Sequence, residues 1–439
     1  MRLKVIPLNE NRNIVYFPDS LRFFETNNDT AEVLRDIVDE KPFEYFFSKY
    51  NEFSEETFKY LKNYCLETVK CEEVSENTNV LSRLVLNISN VCNMKCKYCY
   101  AGGGTYGDKE SFMSTSILEK ILGFFYKCYE NIEIIQLFGG EPTLNMEVIN
   151  HVCRYIKYNK KSTAITMVTN GTNLTDELIE CISENQIYVT VSIDCKELHD
   201  NLRPFNSGKG TYEIIKNNIN KLYLKTGQPN QVEITYTKMH DQQGISIHKL
   251  IESLKKDLVF DVSAHVAPVC TKDMNYKLDT PERFFESIND YYKYLGSENQ
   301  MHYSYVDRFL GPLSEHTKSK TICGGGIGTI AADGKGNIYP CFYFVNNPKF
   351  IIGNVINDNY EELKQNIMNM RNKYISYNRY NSEKCKDCFA NTICFGCMGV
   401  NYSMTGDTMK SSDFHCEWVK KGLETTLINA VTKNKLKGK

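Results

Sequence analysis

The chain has 439 residues, 41% of them apolar, and its 52 lysines and arginines nearly balance 54 aspartates and glutamates, for a formal charge of −2. That length supports a large core and two or three domains, and the balanced charge supplies no general attraction to nucleic acid or an anionic membrane. The first twenty residues carry polar and charged groups where a secretory signal needs a continuous apolar core, and no later stretch reaches the length of a membrane span. A cytoplasmic protein is therefore expected, with neither nucleic acid nor membrane as a partner. Seventeen cysteines in such a chain point to metal ligands or reactive thiols rather than to disulfides.

In chain order, residues 1–75 read as a small separate unit. "KVIPLN" and "NIVYFP" have strand character, and "DTAEVLRDIVDE" opens with Asp29 and Thr30 before helical apolar spacing. Six apolar runs separated by helical stretches follow: "RLVLNIS", "IEIIQLF", "AITMVTN", "IYVTVSID", "QVEITYT" and "DVSAHVAP". Strands alternating with helices imply right-handed crossovers and a parallel sheet, closed or partly closed into a barrel, over residues 80–310. Chemistry in such barrels sits at the C-terminal strand ends. Beyond about residue 321, "GTIAADGKGNIYPCFYF" predicts a hairpin turning at Asp333-Gly334-Lys335-Gly336, followed by a cysteine-dense region to about 418 and a helical tail over 419–439.

Directly after the first of the six strands stands "NVCNMKCKYCYAGGGTYG", with Cys92, Cys96 and Cys99 at spacing C-x3-C-x2-C. Three thiolates on one loop suit a four-iron cube that keeps one iron without a protein ligand, whereas single-zinc loops favour C-x2-C pairs. With Tyr98 before the last cysteine, the motif resembles the signature of the radical S-adenosylmethionine (SAM) enzymes. The resemblance implies a partial (β/α)6 TIM-like α/β barrel, a [4Fe-4S] cluster whose open iron chelates SAM, and reductive cleavage of SAM to a 5′-deoxyadenosyl radical.

Other strand ends extend the resemblance. The second ends in Gly139-Gly140-Glu141-Pro142, similar to the family's Gly-Gly-Glu-Pro element, whose backbone and carboxylate receive the SAM ammonium. The third ends in "TNGT", with Thr169 and Asn170, and the fourth in "SIDCKELHDNLR". The family's version of that last segment carries a serine and an arginine along the SAM carboxylate and ribose. The resemblance thus implies SAM contacts at Tyr98, Gly139, Gly140, Glu141, Thr169, Asn170, Ser192, Asp194 and Arg203. This copy departs from the pattern in having Cys195 where the family has glycine and in being one residue short before Arg203.

Seven more cysteines close the chain: Cys323, Cys341, Cys385, Cys388, Cys394, Cys397 and Cys416. The two C-x2-C pairs alone would also suit a zinc ribbon. The full order resembles the SPASM extension of radical SAM enzymes, with x2 in place of the usual x3 between the last clustered pair. That extension holds two auxiliary [4Fe-4S] clusters, making three in all. By order, Cys385, Cys388, Cys394 and Cys416 would complete the outer one, and Cys323, Cys341 and Cys397 would hold the inner one. Relatives that fully ligate the inner cluster have an additional cysteine just before the Cys323 position, and residues 314–322 contain none. Either Cys270 or another group supplies a fourth ligand, or the iron is open to a substrate thiolate.

Cys65, Cys71, Cys128, Cys153, Cys181, Cys195 and Cys270 remain, mostly in patterns where free cysteine is a small buried hydrophobe. The N-terminal unit resembles the winged-helix-like element that takes up leader peptides in maturases of ribosomally made peptides, the plainer alternative being a structural cap. Together the resemblances imply a maturase that installs thioether links in a cysteine-containing precursor peptide bearing a leader, with flavodoxin or ferredoxin as electron donor. The alternatives are a carbon–carbon crosslinking maturase, a sulfatase-maturating enzyme that makes formylglycine, and, outside catalysis, an iron–sulfur carrier or redox sensor. No general base is assignable without geometry.

Overall fold

The computed structural model describes residues 1–50, 53–72, 79–377 and 379–433. Residues 73–75 of the expected N-terminal unit and 434–439 of the expected tail lie outside the described residues.

Strands β1 (Lys4–Asn9), β2 (Arg12–Phe17) and β3 (Arg22–Thr26) form an antiparallel meander, followed by α1 (Asn28–Val38) and helices Phe43–Lys49 and Glu55–Leu66. The Asn27 side chain caps α1 by accepting from the Thr30 N–H at 2.9 Å, so the helix starts just ahead of the Asp29-Thr30 signal. The third strand, "RFFET", has no clean alternation and was not among the expected elements. β2 is buried along five consecutive residues. Val15 and Phe17 pack with Leu34, Ile37 and Phe46 of the following helices, whereas Ile14 and Tyr16 join Ile6 in the core of the main body. The small sheet is therefore sandwiched, and the unit shares a core with the rest of the chain instead of standing apart. Its attachment is also polar: Arg2 donates to the Cys388 carbonyl at 3.1 Å, and Lys4 pairs with Glu424 at 2.7 Å.

All six expected barrel strands form: β4 (Val80–Ser89), β5 (Asn131–Gly139), β6 (Ala164–Thr169), β7 (Tyr188–Ser192), β8 (Gln231–Tyr236) and β9 (Ser263–Pro268). They lie side by side in chain order, all parallel. Alternation sets their two faces. Ile135, Leu137, Met167, Val189, Val191, Val232 and Ile234 are buried, and Gln136, Thr166, Thr190, Glu233 and His265 alternate with such residues along the same strands. The second set makes a polar inner face.

The sheet continues past the barrel at its first strand. β10 (Thr329–Ala332) pairs parallel to β4, with Ile330 opposite Leu84, and β11 (Asn337–Tyr339) pairs antiparallel to β10 across the expected Asp333–Gly336 turn. The C-terminal extension is thus anchored to the barrel by backbone hydrogen bonds. A final helix, Asp413–Thr432, returns across the body, and starts several residues before the expected tail. It approaches Tyr305 and Phe309 so closely at Gly422 that a Cβ there would lie 2.2 Å from the Tyr305 hydroxyl. Among the described residues no helix is long and apolar enough to cross a membrane.

Candidate functional site

The triplet loop leaves β4 and is held on both sides. Gly140 N–H donates to the Ser89 carbonyl at 2.7 Å and Glu141 N–H to the Val91 carbonyl at 2.8 Å, tying the loop to the end of β5. On the other side, Lys95 and Lys97 N–H groups donate to the Pro204 and Leu202 carbonyls at 2.8 and 2.9 Å. Gly104, with φ +97°, brings the glycine tail back over the loop: a Cβ there would sit 2.8 Å from Cys92 Cβ and 2.7 Å from Gly140 Cα. The three thiols are half-buried, and the Cys92 thiol, pushed up to about 12 by burial, feels both Cys96 and Cys99.

Glu141 is fully buried. Its Oε1 accepts from the Thr143 hydroxyl (2.7 Å), the Thr143 N–H (3.1 Å) and the Thr169 hydroxyl (2.6 Å), and its Oε2 from the Asn170 N–H (2.7 Å). Burial pushes its pKa up, against these donors, which favour the ionised form. The carboxylate therefore braces the ends of β5 and β6 to each other, and the parts of this element that keep exposure are Gly139 and Gly140. Asn170, held in this way, donates to the Asn93 side chain at 2.9 Å and lies 3.8 Å from Cys92 Sγ.

Tyr98, Asp194 and Arg203 converge although 105 residues separate the first from the last. Tyr98 donates to Asp194 Oδ2 at 2.8 Å, and Arg203 Nη1 donates to the Tyr98 hydroxyl at 3.0 Å. Burial works against the Arg203 charge, while Tyr98, Cys96 and Asp194 hold it well above the usual range. Its Nε is buried without an acceptor, which fits an anionic group bound next to Cys96. His199, kept neutral by burial at about 4, accepts the Asp194 N–H at 3.0 Å and meets Thr211 at 3.0 Å. Ser192 lies at the half-buried end of β7 opposite Glu233. Sequence inspection passed over Glu233. It is a carboxylate on the inner face whose pKa burial raises and Arg203 opposes, and its only sequence signal was a charge inside an alternating strand.

The C-terminal thiols fall into two further groups. Cys394 feels Cys385, Cys388 and Cys416, and Cys341 feels Cys397 and Cys323. Beside the first group stands Arg379, with Nε and Nη1 buried and unpartnered and within electrostatic reach of Cys394, Tyr380 and Cys385. That orphaned charge fits a cluster's sulfur. Among the described residues no three His, Cys, Asp or Glu side chains converge as one metal ion would require. A four-iron cube takes one thiolate per iron, so its ligands stand farther apart than those of a zinc site.

Residues 86–254 match the model of the Radical SAM superfamily. The chain carries a radical SAM domain. That domain implies a [4Fe-4S] cluster and SAM. A cysteine-type anaerobic sulfatase-maturating enzyme of Clostridium novyi is 26% identical over 337 residues, 72% of this chain and 86% of that one. An uncharacterized protein of Methanocaldococcus jannaschii is 33% identical over 139 residues, which span 31% of this chain and about half, 47%, of that protein. Among solved structures, anSMEcpe with bound AdoMet and Cp18Cys peptide superposes with a TM-score of 0.65 at 22% identity, over 82% of this chain and 100% of that one. Streptococcus suis SuiB bound to precursor peptide SuiA superposes with a TM-score of 0.51 at 16% identity, over 95% and 100%. These likenesses give the fold.

Proposed function

We propose that this chain is a SAM-dependent maturase that forms thioether links in a cysteine-containing precursor peptide. The observation that carries this reading is the N-terminal unit. β3 pairs with β2 alone among the described residues, so its outer edge offers backbone groups to an added strand. Beside that edge Phe24 meets Tyr64 of helix Glu55–Leu66 at 6.2 Å, and Arg22 lies over the same ring at 5.0 Å. An apolar wall with a cation at its rim suits an amphipathic leader segment. A structure of SuiB with a precursor peptide, similar in fold, supports a peptide as substrate class.

Within this reading Cys92, Cys96 and Cys99 hold the SAM cluster, and the outer and inner auxiliary groups are those found around Cys394 and Cys341. When bound together, SAM and a reduced first cluster would supply a carbon-centred radical able to take hydrogen from a peptide carbon. The chain's own part is orientation. Gly139 and Gly140 with their main chain and Glu141 with its carboxylate would receive the SAM amino group, Ser192 and Arg203 would lie along its carboxylate and ribose, and Glu141 also keeps Thr169 and Asn170 in register. Flavodoxin or ferredoxin would supply electrons.

A second reading, formylglycine formation on a sulfatase, has the Clostridium novyi relative in its favour. The test is anaerobic incubation of reconstituted protein with SAM, reductant and a cysteine-rich peptide encoded beside the gene, followed by peptide mass with and without thiol alkylation. Loss of about two hydrogens with one alkylatable thiol per link is expected. The same mass loss with every thiol still alkylatable would mean carbon–carbon linkage, and conversion only of a sulfatase-derived peptide would favour the second reading. Absence of 5′-deoxyadenosine would leave an iron–sulfur carrier.

A further inference from the structure

The inner group of Cys323, Cys341 and Cys397 is one thiolate short of a fully ligated cube. The missing thiol stands at the end of the last barrel strand. β9 runs on through Val269, whose N–H donates to the Tyr236 carbonyl at 2.9 Å, and so delivers Cys270 on a backbone still paired to its neighbour. The Cys270 thiol lies within electrostatic reach of Cys397, and both line one cavity of about 510 Å³ between β9 and the C-terminal extension. The hydroxyls of Tyr343 and Ser403 stand beside the Cys270 sulfur, where donation from them would favour its thiolate. Tyr343 follows Cys341 by two residues and faces Cys270, Cys397 and Cys341 together. Its position is tightly set, because a Cβ on Gly399 would lie 2.3 Å from the Tyr343 ring. On the opposite side Gly325 brings Cys323 and Cys341 together: a Cβ there would be 3.6 Å from Cys323 Sγ and 3.5 Å from Cys341 Cβ.

Four thiols from four separate segments thus come within reach of one another, and two hydroxyls stand beside the fourth. An inert buried cysteine needs no such donors, whereas a ligand sulfur is held and tuned by them. We propose that Cys270 is the fourth protein ligand of the inner auxiliary cluster, closing it to a substrate thiolate, with Tyr343 and Ser403 as the hydrogen-bond donors to that sulfur. This rests on the reading above that the C-terminal cysteines hold clusters. It deepens that reading, because a closed inner cluster moves electrons and leaves the substrate sulfur to be positioned by protein.

The test uses full-length, reconstituted protein without peptide, with SAM present to occupy the open iron of the first cluster. In the unaltered protein, 2-mercaptoethanol should leave the electron paramagnetic resonance signals of the reduced auxiliary clusters unchanged. In Cys270→Ala one of those signals should change, and should shift again on adding the thiol. A thiol-induced shift in the unaltered protein, or a variant spectrum indistinguishable from the parent, overturns the assignment. Alkylation of the unaltered protein gives an answer even where the variant misfolds. Cys270 should label at least tenfold faster after iron is stripped, with Cys65 as the unchanged control, and equal rates before and after would overturn the assignment. Iron analysis separates the two levels: about four irons per chain instead of about twelve would sink the underlying reading, while a full complement confines failure to Cys270.

Discussion

The barrel mouth and the cysteine-dense C-terminal region both gather thiols, but they are held by different forces. At the mouth every group hangs from the end of a parallel strand or from a loop hydrogen-bonded to two of them, and buried pairs such as Glu141 with Thr169 and Tyr98 with Asp194 set positions to a few tenths of an ångström. Between Asn381 and Met398, by contrast, there is no helix or strand. The backbone bonds there are mostly short-range turns, such as Cys388 N–H to the Cys385 carbonyl at 3.0 Å and Asn391 N–H to the Cys388 carbonyl at 3.1 Å, with Gly396 N–H to the Ile322 carbonyl at 3.2 Å reaching outside the segment. A segment so poor in regular structure cannot repay its ordering entropy through local bonds. On the proposed reading, the mouth is built by the polypeptide ahead of its cofactors, and the cysteine-dense region partly by the clusters it would hold.

The largest effect should separate the two regions outright. Cys96→Ala is expected to reduce 5′-deoxyadenosine formation by more than about a thousandfold with thermal stability nearly unchanged. Cys394→Ala should destabilise the fold by more than about 4 kcal/mol, on the scale of losing a structural metal, as seen in thermal or denaturant unfolding. Equal stability of the two variants would erase the contrast. Stripping iron with a chelator sharpens it: proteolysis should cut within 379–416 first, with amide protons of β5 and β6 still protected from exchange.

Smaller effects probe the mouth's own scaffold. Burial around His199 holds its pKa at about 4, so the unfolded chain binds its proton at higher pH than the folded one. Stability contributed by the neutral ring is then complete above about 6.5 and lost as pH falls toward 4, by about 3 kcal/mol. Denaturant unfolding as a function of pH should show this slope, and His199→Gln should flatten it. Glu141→Gln trades one charged acceptor for an amide that cannot accept all four donors, at a cost of about 2 kcal/mol, with SAM binding falling in parallel by calorimetry. Gly104→Ala must push against Cys92 and Gly140 from a left-handed backbone, costing about 1–2 kcal/mol and lowering iron content of the first cluster.

How far these regions could be foreseen follows the same division. The six barrel strands were legible because their apolar period survives wherever helices cover one face. The two-residue strand His302–Tyr303 and the pairing of β10 with β4 were not, since nothing local in "TIAA" or "HY" marks a distant partner. β3 escaped because its neighbours, not its own alternation, make it a strand. Glu141 was expected to reach SAM with its carboxylate, and what the sequence did not show is that the same carboxylate meets donors from two chain segments, Thr143 and the adjacent Thr169 and Asn170.

Local sequence sufficed for whatever depends on spacing along the chain: which thiols share a loop, where strands run, which residues stand at their ends. Spacing is preserved in the unfolded chain, so it can be read directly. Depth, neighbours and charge balance are different in kind. That Arg203 lies on Tyr98, that Glu233 comes within electrostatic reach of Arg203, and that Cys270 comes to Cys397 all require loops to close over many residues. Those contacts exist only because a twisted parallel sheet and a docked extension bring remote strand ends to one side of the molecule.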